Sequence, residues 1–131
     1  MTTRLYTHAA CREHDPGPHH PERPDRLVAI EHAFATLPEG PFDRAEAPEI
    51  DLELLELAHP AAHVEQVLNA IPASGYGSID ADTGVSPGSR EAALRAAGAA
   101  VAAAEAVARG EVDNAFCAVR PPGHHAEPAR A

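Results

Sequence analysis

The chain has no tryptophan, one methionine, two tyrosines and three phenylalanines in 131 residues. A core built on large aromatic side chains is thereby excluded. Apolar residues make up 44% of the sequence, but about half of these are alanine and only 24 are Ile, Leu, Val or Phe, so the core has to be thin. Basic residues are also scarce, ten against twenty acidic ones, for a net charge of −10. That balance argues against a direct nucleic-acid partner, which needs a basic patch; it leaves a solvated acidic face or a weak attraction for basic substrates. The two cysteines, Cys11 and Cys117, are far apart and suit neither a disulfide framework nor a CxxC metal site. Reduced thiols in a cytoplasmic setting are the simplest expectation. No apolar run approaches the roughly 18 residues of a membrane span, since the alanine-rich stretch near residue 100 carries Glu105 and Arg109. Met1-Thr2-Thr3-Arg4 leads straight into Leu5-Tyr6 without the pattern of a signal peptide. The length suits one small domain or part of a larger one, and neither repeats nor a break in composition divides it.

What is present concentrates near residue 120. Asn114-Ala115-Phe116-Cys117-Ala118-Val119 is short, apolar and bounded by breakers, and predicts a buried strand. Arg120-Pro121-Pro122-Gly123 then forces a turn, and His124-His125 follow. In open α/β sheets, ligands bind beyond the carboxyl ends of strands. Histidine is the side chain suited to exchanging protons near neutral pH, so a stiff turn presenting two of them is a candidate site. The alternative is a loop with two solvated histidines.

Earlier in the chain, Arg4–His8 predicts a first strand. A long polar, breaker-rich loop follows from Cys11 to Pro24, including His14, His19 and His20; such loops are more often functional or disordered than neutral. A helix is expected over Pro24–Leu37, with proline in its first turn and Leu27, Ile30, Phe34 and Leu37 on one face. Arg26 lies at its amino end, where the helix dipole disfavours a cation, which hints at a specific partner. Pro38–Pro48 predicts a loop containing a weak strand near Arg44–Ala47. Asp51 is placed to cap a short helix over Leu52–Leu57. A second helix starts at Pro60, with Val64, Val67, Leu68 and Ile71 on one side. The polar loop Ile79–Ser89 is expected to end in a cap, Ser86 or Ser89, for an alanine-rich helix over Arg90–Arg109. Gly110 closes that helix before the last strand. Strand, helices and strand in this order suggest a layered α/β protein with a mostly parallel sheet.

Two metal patterns are weaker. His59 and His63 have the four-residue spacing of ligands on a helix face, but Pro60 separates them. Asp80 and Asp82 resemble the start of a calcium loop, yet the later glycine and glutamate fall at the wrong offsets.

Three stretches combine into something more specific: His14-Asp15-Pro16-Gly17 with His20-Pro21-Glu22-Arg23-Pro24-Asp25-Arg26-Leu27; Asp80-Ala81-Asp82-Thr83 with Ser86-Pro87-Gly88-Ser89; and Arg120-Pro121-Pro122-Gly123-His124-His125-Ala126. In this order and at these separations they resemble the amino-terminal part of the histone deacetylase family, especially its class II-like members, the bacterial amidohydrolases and the acetylpolyamine amidohydrolase relatives. The resemblance covers nearly the whole chain. It implies an arginase-like, three-layer α/β/α fold, of which residues 1–131 are the amino-terminal portion of a single domain. It also implies Zn2+-dependent hydrolysis of the acetamide of acetyl-lysine or an acetylated small amine. Zinc would polarise the carbonyl and activate a water molecule, and histidine would move the protons. By resemblance, His125 is the general base and acid, and His124 the partner that stabilises the oxyanion-like intermediate. Arg26 matches an arginine beneath the site, near an internal channel, and Asp82 falls in a loop near the substrate entrance. The family's zinc ligands, orienting aspartates and tyrosine all follow the tandem histidines, beyond Ala131. The expectation is therefore a fragment that is inactive alone. Two other readings stay open: a non-catalytic binding module that uses the His14–Arg26 loop, and an unrelated metal protein using His19, His20, His124 and His125.

Overall fold

The central strand, β1, runs Thr3–Thr7. Leu5 and Tyr6 are consecutive and therefore point to opposite faces, yet both are buried, which requires cover on each side of the sheet. The structure is a computed structural model and describes residues 1–38 and 40–131. Its main sheet has the order β2-β1-β5, with β2 at Phe42–Glu46 and β5 at Asn114–Ala118. Both pairings are parallel: Leu5 lies opposite Arg44 and Phe116, and Tyr6 opposite Ala45 and Cys117.

One face is covered by α1, Pro24–Ala35. Leu27 and Phe34 of this helix pack with Cys11, Ala118 and Val119, and the Phe34 ring meets Phe116 edge-on at 5.5 Å. The other face is covered by the long helix α4, Ser89–Ala108. Ala99, Ala102 and Ala103 lie against Tyr6, Ala45, Ala47, Ala115 and Cys117. The small side chains let this helix approach closely, and the Tyr6 hydroxyl donates to the Ala102 carbonyl at 3.4 Å. At Gly98 the approach is closest, since a Cβ there would run into the Pro48 carbonyl oxygen. Helix, sheet and helix form the three-layer α/β/α architecture expected from the sequence. Alanine supplies much of the inner surface.

Between β2 and α4 lie α2 at Leu52–Leu55, α3 at Ala61–Ala70, and an antiparallel pair of short strands, β3 (Gly77–Ser78) and β4 (Gly84–Val85). Asp51 caps α2 as its position predicts, its carboxylate accepting the Glu53 N–H at 3.2 Å. Val64, Val67, Leu68 and Ile71 share a face of α3, but all are only half-buried. The weak strand is real and spans Phe42–Glu46, a little ahead of its expected place. The loop expected at Pro38–Pro48 includes Glu39, which lies outside the described residues.

One expectation is corrected. Neither Ser86 nor Ser89 caps α4: Gly88 occupies the cap position, without a side-chain bond. The two hydroxyls are engaged by the preceding loops instead. Ser89 Oγ accepts the Ser86 N–H at 2.8 Å, and Ser86 Oγ accepts the Asp15 N–H at 3.0 Å.

Candidate active-site cavity

Parallel pairing brings the carboxyl ends of β1, β2 and β5 to one edge of the sheet, where α/β proteins bind ligands. From β1 the chain passes through a single 3-10 turn, Ala9–Arg12, into the polar loop that leads to α1. From β5 it passes directly into Arg120 and the Pro-Pro-Gly turn. Between these segments and the loop around β4 lies a cavity of about 650 Å3. Arg26, Asp82, His124 and His125, widely separated in sequence, all line it.

All four are exposed on its rim. His124 and His125 are exposed, with ring centroids 4.2 Å apart and planes tilted by 51°. Pro121 and Pro122 lack an N–H; beyond them, the Ala126 N–H closes the turn onto the Gly123 carbonyl at 3.1 Å. The Arg120–Pro121 bond is cis. Asp82 is exposed too, and its N–H is held by Asp80 Oδ1 at 2.9 Å. The Thr83 hydroxyl and then this N–H hold the Asp80 carboxyl below the usual range. Arg26, in the first turn of α1, has an exposed side chain that faces the same space.

The opposite wall is buried and polar. The Arg120 guanidinium is 3% exposed. Its Nε and Nη2 donate to the two carboxylate oxygens of Glu22, both at 2.8 Å, in the bidentate geometry that makes arginine–carboxylate pairs strong. Its Nη1 donates to the carbonyls of Cys11 at 2.9 Å and His14 at 2.6 Å. One side chain thus ties the long loop to the end of β5. His14, 4% exposed, continues the network, with Nδ1 2.7 Å from Ser89 Oγ. The same oxygen accepts the Ser86 N–H. His14 Nε2 is 3.7 Å from Glu22. Burial, and next the charge of Arg120, push His14 below its ordinary value, outweighing the opposite pull of Glu22. The ring is therefore neutral at pH 7, and the contact is not an ion pair. With Ser89 only 2% exposed, the Glu22, His14 and Ser89 grouping offers no hydroxyl to a substrate.

Two further contacts fasten the walls together. Asp15 accepts the Gly17 N–H at 3.0 Å and the Tyr76 hydroxyl at 2.8 Å. These bonds, the backbone one foremost, hold its carboxyl below the usual range. Gly84 lies so close to Pro16 that a Cβ would meet the Pro16 carbonyl oxygen, and Gly88 stands in the same relation to Glu13.

Glu22, Arg120, His14, Ser86 and Ser89 all fall within the motif stretches, but the sequence assigns none of them a place in the site, and it reads Ser86 and Ser89 only as helix caps. Arg120 and Glu22 are 98 residues apart and His14 and Ser89 are 75 apart, so no local spacing carries their pairing. The signal present in the sequence was the co-occurrence of the three motif stretches.

Among the described residues, no group of three or more His, Cys, Asp or Glu side chains is arranged to hold an ion. The set His19, His20, His124 and His125 does not assemble; His20 Nδ1 is engaged by the Glu22 N–H at 3.1 Å. His59 and His63 stack with centroids 5.3 Å apart, and His59 Nδ1 contacts the Pro128 carbonyl at 2.9 Å. The described residues alone do not fit a zinc site. No described helix is long and apolar enough to cross a membrane.

Residues 20–131, the segment containing all four rim and cavity candidates, match the histone deacetylase domain. This chain belongs to the histone deacetylase family. Over 88 residues, 67% of its length, it is 44% identical to a histone deacetylase-like amidohydrolase of Pseudomonas aeruginosa. Over 98% of its length it is 37% identical to a probable deacetylase of Archaeoglobus fulgidus. The crystal structure of the HDA15 HD domain superimposes with a TM-score of 0.89 at 34% identity, covering 99% of this chain. The deacetylase-family chain spans 23% and 36% of the two relatives and 38% of the solved chain.

Proposed function

We propose that residues 1–131 are the amino-terminal portion of a deacetylase domain. Its reaction would be zinc-dependent hydrolysis of the acetamide of acetyl-lysine or a related acetylated amine, in the cytoplasm. The observation that carries this reading is the convergence of Arg26, Asp82, His124 and His125 on one cavity, within a chain of this family. The zinc ligands would come from residues outside these 131.

In this reading His125 takes a proton from the attacking water and returns one to the leaving amine. Two neighbouring imidazoles suit that division of labour: one handles the proton while the other stabilises charge on the former carbonyl oxygen. His124 has the second role, its ring 4.2 Å from its neighbour. The exposed Asp82 accepts an N–H donor of the substrate at the entrance. Arg26, the cation across the cavity, attracts the released acetate.

The test is a deacetylation assay on an acetyl-lysine peptide and on an acetylated polyamine, with zinc supplied. The 131-residue chain alone should be inactive, whereas a chain extended to the relatives' length should turn over and lose activity to a chelator. In the extended chain, His125→Ala should lower kcat by about 10²- to 10⁴-fold with little change in KM. Near-normal turnover in that variant, or deacetylation by the 131 residues alone, would overturn the reading. A stable, zinc-free and inactive extended chain would point to a binding module.

A further inference from the structure

We infer that Glu22 is a positioning residue for the tandem histidines, acting through Arg120; this rests on the proposed function above. Arg120 is the last fixed point before the turn that carries His124 and His125. Beyond it, Pro121 and Pro122 offer no N–H, and the turn's own closure is the bond from Ala126 to Gly123. On the sheet side, the placement of the imidazoles is therefore inherited from Arg120, while the chain beyond them is met by His59 Nδ1 at the Pro128 carbonyl, 2.9 Å away.

Arg120 is in turn aimed by Glu22. A guanidinium is a flat fork, and a carboxylate gripping Nε and Nη2 at 2.8 Å each fixes both its direction and its roll. That orientation turns Nη1 toward the Cys11 and His14 carbonyls. Glu22 lies four residues before Arg26, with Pro24 starting α1 between them. Among the described residues, the Glu22–Arg120 pair is the side-chain hydrogen-bonded link between the segment bearing Arg26 and the segment bearing His124 and His125, beside the apolar packing of Leu27 on Ala118 and Val119. It sets the two sides of the cavity in register. Both Glu22 oxygens accept from Arg120, so its part is to hold that guanidinium.

The experiment compares wild type with Glu22→Gln, Glu22→Asp and Gly98→Ala in the full-length zinc-loaded protein, all below their unfolding temperatures. Glutamine keeps the shape but loses the charge and one acceptor; aspartate keeps the charge. Gly98 lies on α4 against Pro48, away from the cavity, so its alanine variant controls for lost stability alone. Glu22→Gln should lower kcat by about 10- to 100-fold, the range for groups that orient catalytic residues, with KM unchanged. Glu22→Asp should recover part of the loss, and Gly98→Ala should keep the wild-type kcat despite a lower unfolding temperature. An unchanged kcat in Glu22→Gln would overturn the inference, as would a matching loss in Gly98→Ala. If the wild type is itself inactive, the deacetylase reading fails, and the positioning claim is judged by histidine-ring NMR. Displaced His124 and His125 resonances in Glu22→Gln, but not in Gly98→Ala, would uphold it; unmoved resonances would refute it.

Discussion

The two walls of the cavity are built on opposite principles. On one, Arg120, His14 and Ser89 are almost wholly buried, and the Arg120 nitrogens, His14 Nδ1 and Ser89 Oγ all have hydrogen-bond partners. On the other, Asp82, His124 and His125 are exposed and the His-Pro-rich turn makes few bonds of its own. A buried charge is tolerable only when paired, so the first wall holds one geometry. An exposed imidazole costs nothing to leave free and is open to a ligand. The first wall should therefore respond to mutation in stability and reach the chemistry only by way of how Arg120 places the second, whereas the second should respond in chemistry alone.

The sharpest way to break this contrast is at Arg120. Arg120→Met leaves the Glu22 carboxylate without its cation and strips the Cys11 and His14 carbonyls of their donor. It should destabilise the protein by about 3–5 kcal/mol, as when one partner of a buried pair is removed, measured by urea unfolding. Arg120→Lys, which keeps a charge but not the fork, should cost less. If Arg120→Met matches wild type, the buried wall is not what holds the loop.

Next in size is the seam between the walls. Gly84→Ala pushes a methyl group into the Pro16 carbonyl oxygen and should cost about 1–3 kcal/mol, as overpacking does. Because Pro16 follows the Asp15 that binds Tyr76, the same variant should weaken that tie. A thermal unfolding midpoint unchanged by the added methyl would show that the loop can slide away freely.

A smaller effect comes from pH. His14 is held below its ordinary value of 6.5, so near that pH the unfolded chain binds more protons than the folded one. Its contribution is fully present above about pH 6.5 and is lost as pH falls from there toward the folded-state value. Stability should thus fall on acidification below that point, and His14→Gln should flatten that limb of the curve. A slope identical in wild type and variant would mean that the burial of His14 contributes nothing to the pH response.

How much of this could be read from the residues differs between the layers. Periodicity and breakers placed β1, α1, α4 and β5 within a few residues, because those patterns are local. The face of α3 was also legible, but not its shallow burial, since the sequence does not say what lies opposite Val67 and Ile71. The caps failed for a physical reason: a serine near a helix start is a good cap only if nothing else claims its hydroxyl, and Ser86 and Ser89 are claimed by Asp15 and His14. The candidate rim residues were legible through family resemblance. The buried wall was not, because a salt bridge across 98 residues leaves no trace in spacing.

The smallest expected stability effect sharpens the contrast most. His124→Ala and Asp82→Ala remove exposed side chains that hold no described neighbour in place, so each should change unfolding free energy by no more than about 0.5 kcal/mol. Under the proposed function, each nevertheless acts on the reaction: His124→Ala should lower kcat, and Asp82→Ala should chiefly raise KM, because an entrance contact is made equally in ground and transition states. Paired unfolding and kinetic measurements on the same preparations check this directly. A stability loss at His124 as large as that at Arg120 would mean the tandem histidines are part of the scaffold, and the division between a holding wall and a reacting wall would fall.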